Sequence, residues 1–113
     1  MTNKDIEYSI RLKTVFPPKG KFKKLKMRGE LVIITGFESL FFCLRKDDVI
    51  GGYLIDELST GHFAACGENK KNAIASLRRI LKRRGIVSVE KTIAKKISKY
   101  GRMNAEVIRR IIS

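Results

Sequence analysis

The residues with the plainest chemistry in this chain are its cations. Lys70, Lys71, Arg78, Arg79, Lys82, Arg83 and Arg84 fall within a stretch, 69–84, that holds no acidic residue. A second group, Lys19, Lys21, Lys23, Lys24, Lys26 and Arg28, is equally free of acids. Lys95, Lys96, Arg109 and Arg110 add two basic pairs near the C-terminus. Such groups hold oxyanions, and phosphate above all, through charge-assisted hydrogen bonds.

Other chemistries find less to work with. A metal site would draw on Cys43, His62, Cys66 and an unidentified fourth ligand, and there is no Cys-x-x-Cys pair. His62 and Cys66 share strand parity, but four strand residues span roughly 13 Å, too far for one tetrahedral zinc unless the chain bends near Gly67. His62 is the sole histidine, which excludes His–His arrangements. Asp56 with Glu68-Asn69-Lys70 matches an Asp…Glu-x-Lys nuclease spacing, in which two carboxylates hold a divalent cation beside a lysine. That pattern is permissive, and Asp47 and Asp48 read more simply as turn residues. The expectation is a non-catalytic protein without cofactor or metal.

The distribution of charge supports a polyanion partner. The net charge of the 113 residues is +14. Residues 69–113 carry 14 Lys/Arg against Glu90 and Glu106, whereas 29–68 carry Arg45 and Lys46 against seven acids. A surface shaped for solubility alone intersperses its signs, and this one segregates them. Apolar residues make up 43% of the chain, enough for one modest core and a single domain. The apolar runs are strand-length and the N-terminus has no apolar leader, so a cytoplasmic protein with no membrane partner is expected. Two cysteines fit that compartment as buried thiols.

Periodicity supplies the elements that would position these groups. Ile6, Tyr8, Ile10, Leu12 and Phe16 alternate with mostly polar residues, predicting a half-buried strand over 6–16 that Pro17-Pro18 ends. Residues 19–28 read as a lysine-rich loop or ragged edge strand, and 30–36 and 39–45 as two core strands. Tyr53–Leu58 and His62–Cys66 flank Ser59-Thr60-Gly61, a hairpin signal. From Asn69 the period changes. Ala73, Ile74, Leu77, Ile80 and Leu81 form one helical stripe, with Asn69 as N-cap and Gly85 just past the end. Ser88 is placed as cap of a second helix ending at Gly101. Asn104 is placed as cap of a third, flanked by Met103 and Ile108 at staple positions. The fold expected is α+β: an antiparallel sheet of four or five strands over residues 6–66, then three helices, the first (about 69–84) packed on the sheet.

Two local stretches resemble known nucleic-acid readers. Gly67, Lys70, Lys71 and Ala73 match the Gly-x-Ser-Lys-Lys-x-Ala-Lys opening of the last helix in double-stranded-RNA-binding domains. There a hairpin feeds the helix and its lysines reach phosphates across a groove. Asn69 replaces the serine, Ile74 replaces the final lysine, and the family's first helix is missing because 6–16 reads as strand. A sheet-plus-helix DNA reader, like the arm-site domains of phage integrases, is a comparable analogy. Ile93-Ala94-Lys95-Lys96-Ile97 and Val107-Ile108-Arg109-Arg110-Ile111 resemble a helix-turn-helix with Ala94 at its small position, though the turn 98–104 is long for that motif. A plain helical hairpin packed on the sheet is the reading expected here.

The function expected from these observations is a small nucleic-acid-binding protein, DNA or RNA, that grips phosphates with the basic loop and basic helix. Size and composition suit an accessory protein of a phage or other mobile element. The alternative partner is a nucleoprotein complex: an inhibitor of anti-CRISPR type, set on an acidic surface of an RNA-guided nuclease or on its guide. A ribonucleoprotein component is a third reading. It would need exposed aromatics, for which Tyr8, Phe22, Tyr53 and Tyr100 are the candidates.

Overall fold

The computed structural model describes residues 5–13, 22–49 and 51–113. Five strands, β1 (Asp5–Lys13), β2 (Phe22–Val32), β3 (Phe42–Lys46), β4 (Tyr53–Glu57) and β5 (Phe63–Gly67), form one antiparallel sheet. Its spatial order is the chain order. Three helices follow: α1 (Lys70–Arg84), α2 (Ile86–Tyr100) and α3 (Ala105–Ile112). The expected architecture is present, with α1 packed on β4 and β5.

Both expected core strands are bounded differently: 39–45 begins only at Phe42, and 30–36 ends at Val32 and is joined to the segment before it. Lys23–Arg28 and Glu30–Val32 belong to a single 11-residue strand. Its first part pairs with β1, from Lys13↔Phe22 to Asp5↔Glu30, and its last three residues pair with β3. The handover occurs beside Gly29. A Cβ there would lie 2.4 Å from the Leu44 carbonyl oxygen, so only glycine lets the two backbones approach so closely. Residues 33–36 are not strand. They turn instead, with Phe37 N–H donating to Ile34 O (2.9 Å) and Gly36 N–H to the Glu38 carboxylate (2.9 Å).

The alternation of the strands builds a core on each side of the sheet. Val32, Phe42, Leu44, Ile55 and Ala65 meet Ala73, Leu77 and Leu81 of α1 and Val89 of α2. Tyr8, Ile10, Cys43 and Leu58 make the second core, covered by Val107, Ile108 and Ile111 of α3. The helix α1 can lie close because Gly67 lacks a side chain; a Cβ would sit 2.3 Å from the Ala73 nitrogen. Asn69 caps α1 as expected, accepting from Asn72 N–H at 2.8 Å.

The sheet curls until its first strand meets its last hairpin. Arg11 N–H donates to Gly61 O (2.8 Å), and the Tyr8 hydroxyl reaches Asp56 on β4 (2.8 Å). Asn104 closes what remains. Its carboxamide oxygen accepts from Ser9 N–H (2.7 Å), while its nitrogen donates to Ser9 O and Leu58 O (both 2.8 Å). The side chain thus stands in for a peptide of a neighbouring strand. Asn104 does precede α3, but it makes no side-chain cap bond there and adopts the left-handed conformation (φ 56°) that asparagine tolerates.

A second correction concerns α2. It starts at Ile86, directly after Gly85 (φ 80°), so Ser88 lies inside the helix instead of capping it. The Ser88 carbonyl accepts from the Thr92 hydroxyl at 3.1 Å.

Candidate nucleic-acid interface

The helix α1 sorts its cations by where its apolar stripe points. With Ala73, Leu77 and Leu81 turned to the sheet, Lys71, Arg78, Arg79, Lys82 and Arg83 are exposed on the remaining circumference. Lys71, Arg78 and Lys82 follow one ridge at i, i+7, i+11, and Arg79 and Arg83 lie one turn apart on the adjoining ridge. Among the described residues none of the five pairs with a carboxylate. The other two α1 cations are engaged. Lys70 pairs with Glu30 and lies 6.0 Å over the Tyr53 ring, and the Glu30 hydrogen bond raises its pKa. Arg84 donates to the Thr92 hydroxyl, tying α1 to α2.

The Lys70–Glu30 pair also joins two basic segments that are far apart in sequence. Lys24, Lys26 and Arg28 share strand parity with Glu30, and all three are exposed. They form a row along β2 that ends where α1 begins. Lys23, of opposite parity, is exposed as well. Lys19 and Lys21 lie outside the described residues.

The basic character continues into the last two helices. Lys95 is exposed on α2, while Lys96 is half-buried beside His62. Arg109 and Arg110 are exposed on α3, Arg110 lying 3.6 Å from Glu106. Sequence reasoning passed over Lys91, Lys99 and Arg102, which are exposed too. Their signal was available in the helical spacing, since Lys91 stands one turn before Lys95. The helix-turn-helix resemblance finds less in the geometry. Ala94 is exposed, and α3 lays its apolar face on the Tyr8 core. Nor does a helix precede the sheet among the described residues, unlike in a double-stranded-RNA-binding domain.

The aromatic candidates are rearranged. Tyr8 is buried, Tyr53 and Tyr100 are half-buried, and the Phe22 side chain lies outside the described residues. Tyr100 lies beneath Arg11 (5.6 Å) and Lys99 (5.1 Å) and faces His62 (5.7 Å). Among the described residues the exposed aromatic is Phe63, 57% accessible at the start of β5.

No family model, curated protein or solved structure matches this chain.

Two buried acidic residues, Asp56 and Glu57, are engaged within the fold, while Glu68 is exposed. Asp56 is buried and accepts from Arg45 Nε (2.7 Å) as well as from Tyr8. Burial opposes the Arg45 charge, but the Asp56 hydrogen bond and charge outweigh it and raise the pKa. Glu57 is buried and holds the turn after β4, accepting from the N–H groups and hydroxyls of Ser59 and Thr60. In the nuclease-like spacing, Asp56 is held by Tyr8 and Arg45 and Lys70 pairs with Glu30, while Glu68 is exposed. Of the cysteines, Cys43 is buried and Cys66, expected to be buried, is exposed. No three His, Cys, Asp or Glu side chains gather as a metal site among the described residues.

Proposed function

We propose that this protein is a non-catalytic nucleic-acid binder whose principal contact is the outer face of α1. The observation that carries the reading is the set Lys71, Arg78, Arg79, Lys82 and Arg83: five exposed cations on one helix, none paired with a carboxylate among the described residues. Unpaired surface cations repel one another, and an arrangement of this kind is stabilised by an external polyanion. Lys24, Lys26 and Arg28 extend the band on one side, and Lys91 and Lys95 on the other. Phosphate contacts of this type fix position on a strand or duplex and are sequence-independent in themselves.

The test is charge reversal. The quadruple variant Arg78→Glu, Arg79→Glu, Lys82→Glu, Arg83→Glu is expected to lose binding to duplex and single-stranded oligonucleotides while keeping its circular dichroism spectrum, because all four side chains are exposed. Unchanged affinity would remove α1 from the interface. Binding to no nucleic acid by the native protein, together with co-purification of one large acidic partner, would favour the inhibitor reading instead.

A further inference from the structure

Between α1, α2 and the start of β5 lies a cleft of about 130 Å³. Its lining is mostly apolar, with core residues such as Phe42, Leu77 and Ile93 and the exposed Phe63 and Ile80, beside buried Glu57 and Thr60, which hydrogen-bond to each other. Phe63 and Ile80 are 57% and 39% exposed, an unusual state for large apolar side chains that stand together. The rim carries His62, Arg84 and Lys96. A mostly apolar slot with an aromatic wall and a basic rim suits a flat ring attached to an anion.

We propose that this cleft receives one unpaired pyrimidine base, stacked on Phe63, from a strand whose phosphates run along the basic face of α1. The inference rests on the nucleic-acid reading above and narrows it to strands with unpaired bases. Three observations support it. The volume is close to the ~150 Å³ of a cavity that accepts a benzene ring, so one six-membered ring matches it better than a purine does. Arg84 belongs both to the rim and to the basic run of α1, so a phosphate next to the base meets a cation at the correct place. His62 stays neutral at physiological pH, since burial and then the Lys96 and Arg11 charges hold it below its ordinary range. A neutral imidazole carries one donor and one acceptor nitrogen, the combination that a pyrimidine edge also presents.

The chain has no tryptophan, so Phe63→Trp introduces a sole reporter at an exposed position. The variant is titrated with oligo(dT), oligo(dA) and a mixed-sequence duplex, reading tryptophan emission and oligonucleotide anisotropy together. Oligo(dT) is expected to quench the emission strongly, oligo(dA) weakly and the duplex not at all. Phe63→Ala should weaken oligo(dT) binding about 5- to 100-fold, the loss of one stacked base, and leave duplex affinity unchanged. Phe63→Tyr should restore the single-strand affinity. Oligo(dT) bound without quenching, and with equal affinity in Phe63→Ala, would overturn the cleft proposal and leave the phosphate-binding face standing. Absence of binding to all three probes would overturn both.

Discussion

The buried polar residues of the second core show what single side chains contribute. Asp56, Arg45 and Tyr8 form a closed set in which one carboxylate takes a guanidinium and a phenol. Removing the carboxylate leaves a poorly hydrated arginine, so Asp56→Ala is expected to lower stability by about 3–5 kcal/mol in denaturant unfolding. Tyr8→Phe should lose only about 1.5–3 kcal/mol, the value of one hydrogen bond to a charged group. Cys43 lies fully buried opposite Asp56. Burial first, and the Asp56 charge second, push its thiol from 9.0 up to about 12. The native fold thus favours the protonated thiol, whereas the unfolded chain releases that proton earlier. The stability this provides is complete below pH 9 and is lost as pH rises towards 12. Cys43→Ala should shallow the alkaline fall in Tm across that window. The exposed Cys66 should react with a thiol reagent at pH 8 in the native state, and Cys43 only after unfolding.

At the scale of elements, glycine and asparagine decide how the pieces meet. Gly67 lets α1 rest on β5, and a methyl group there has no space beside the Ala73 backbone. Gly67→Ala is expected to cost about 1–3 kcal/mol, as overpacking does, and to weaken nucleic-acid binding by displacing α1. Asn104 joins three segments through one amide. Asn104→Ala should cost about 2–4 kcal/mol by thermal melting, since it strands backbone groups of β1 and leaves a non-Asn residue at positive φ. Asn104→Asp should be no better, because a carboxylate cannot donate to Ser9 O and Leu58 O. None of these roles was legible from local pattern. Asn104 precedes a helix, so its sequence position signals a cap, while its actual partners lie 95 and 46 residues away. The β2 boundary was hidden for a related reason. Lys23–Arg28 reads as a loop or ragged edge strand because its charges mask the alternation of Leu25 and Met27, and pairing with β1 makes it strand. By contrast the extent of α1 was read correctly from Asn69 to Gly85, where cap and C-terminal glycine agree, although Ile80 of the expected stripe is exposed.

Over the whole molecule, the segregation of charge seen along the chain becomes a segregation in space. The acidic residues of 29–68 are largely drawn into turns and pairs: Glu57 on Ser59 and Thr60, Asp56 on Arg45, Glu30 on Lys70. The cations of α1 are left outward, and so the excess charge seen in residues 69–113 becomes a surface. That much of the candidate site followed from composition and helical spacing. The joining of β2 to α1 through Glu30, and the exposure of Phe63 beside a cleft, did not, because each depends on the curl of the sheet and on which face a short strand presents.

The most direct test of the central claim is the salt dependence of oligonucleotide binding by the native protein, followed by fluorescence anisotropy. If the α1 face neutralises five or more phosphates, affinity should fall at least 100-fold between about 50 and 200 mM monovalent salt, and charge reversal on α1 should flatten that slope. Binding that is absent at about 50 mM salt, or indifferent to salt, would contradict the account and direct the basic face towards an acidic protein surface.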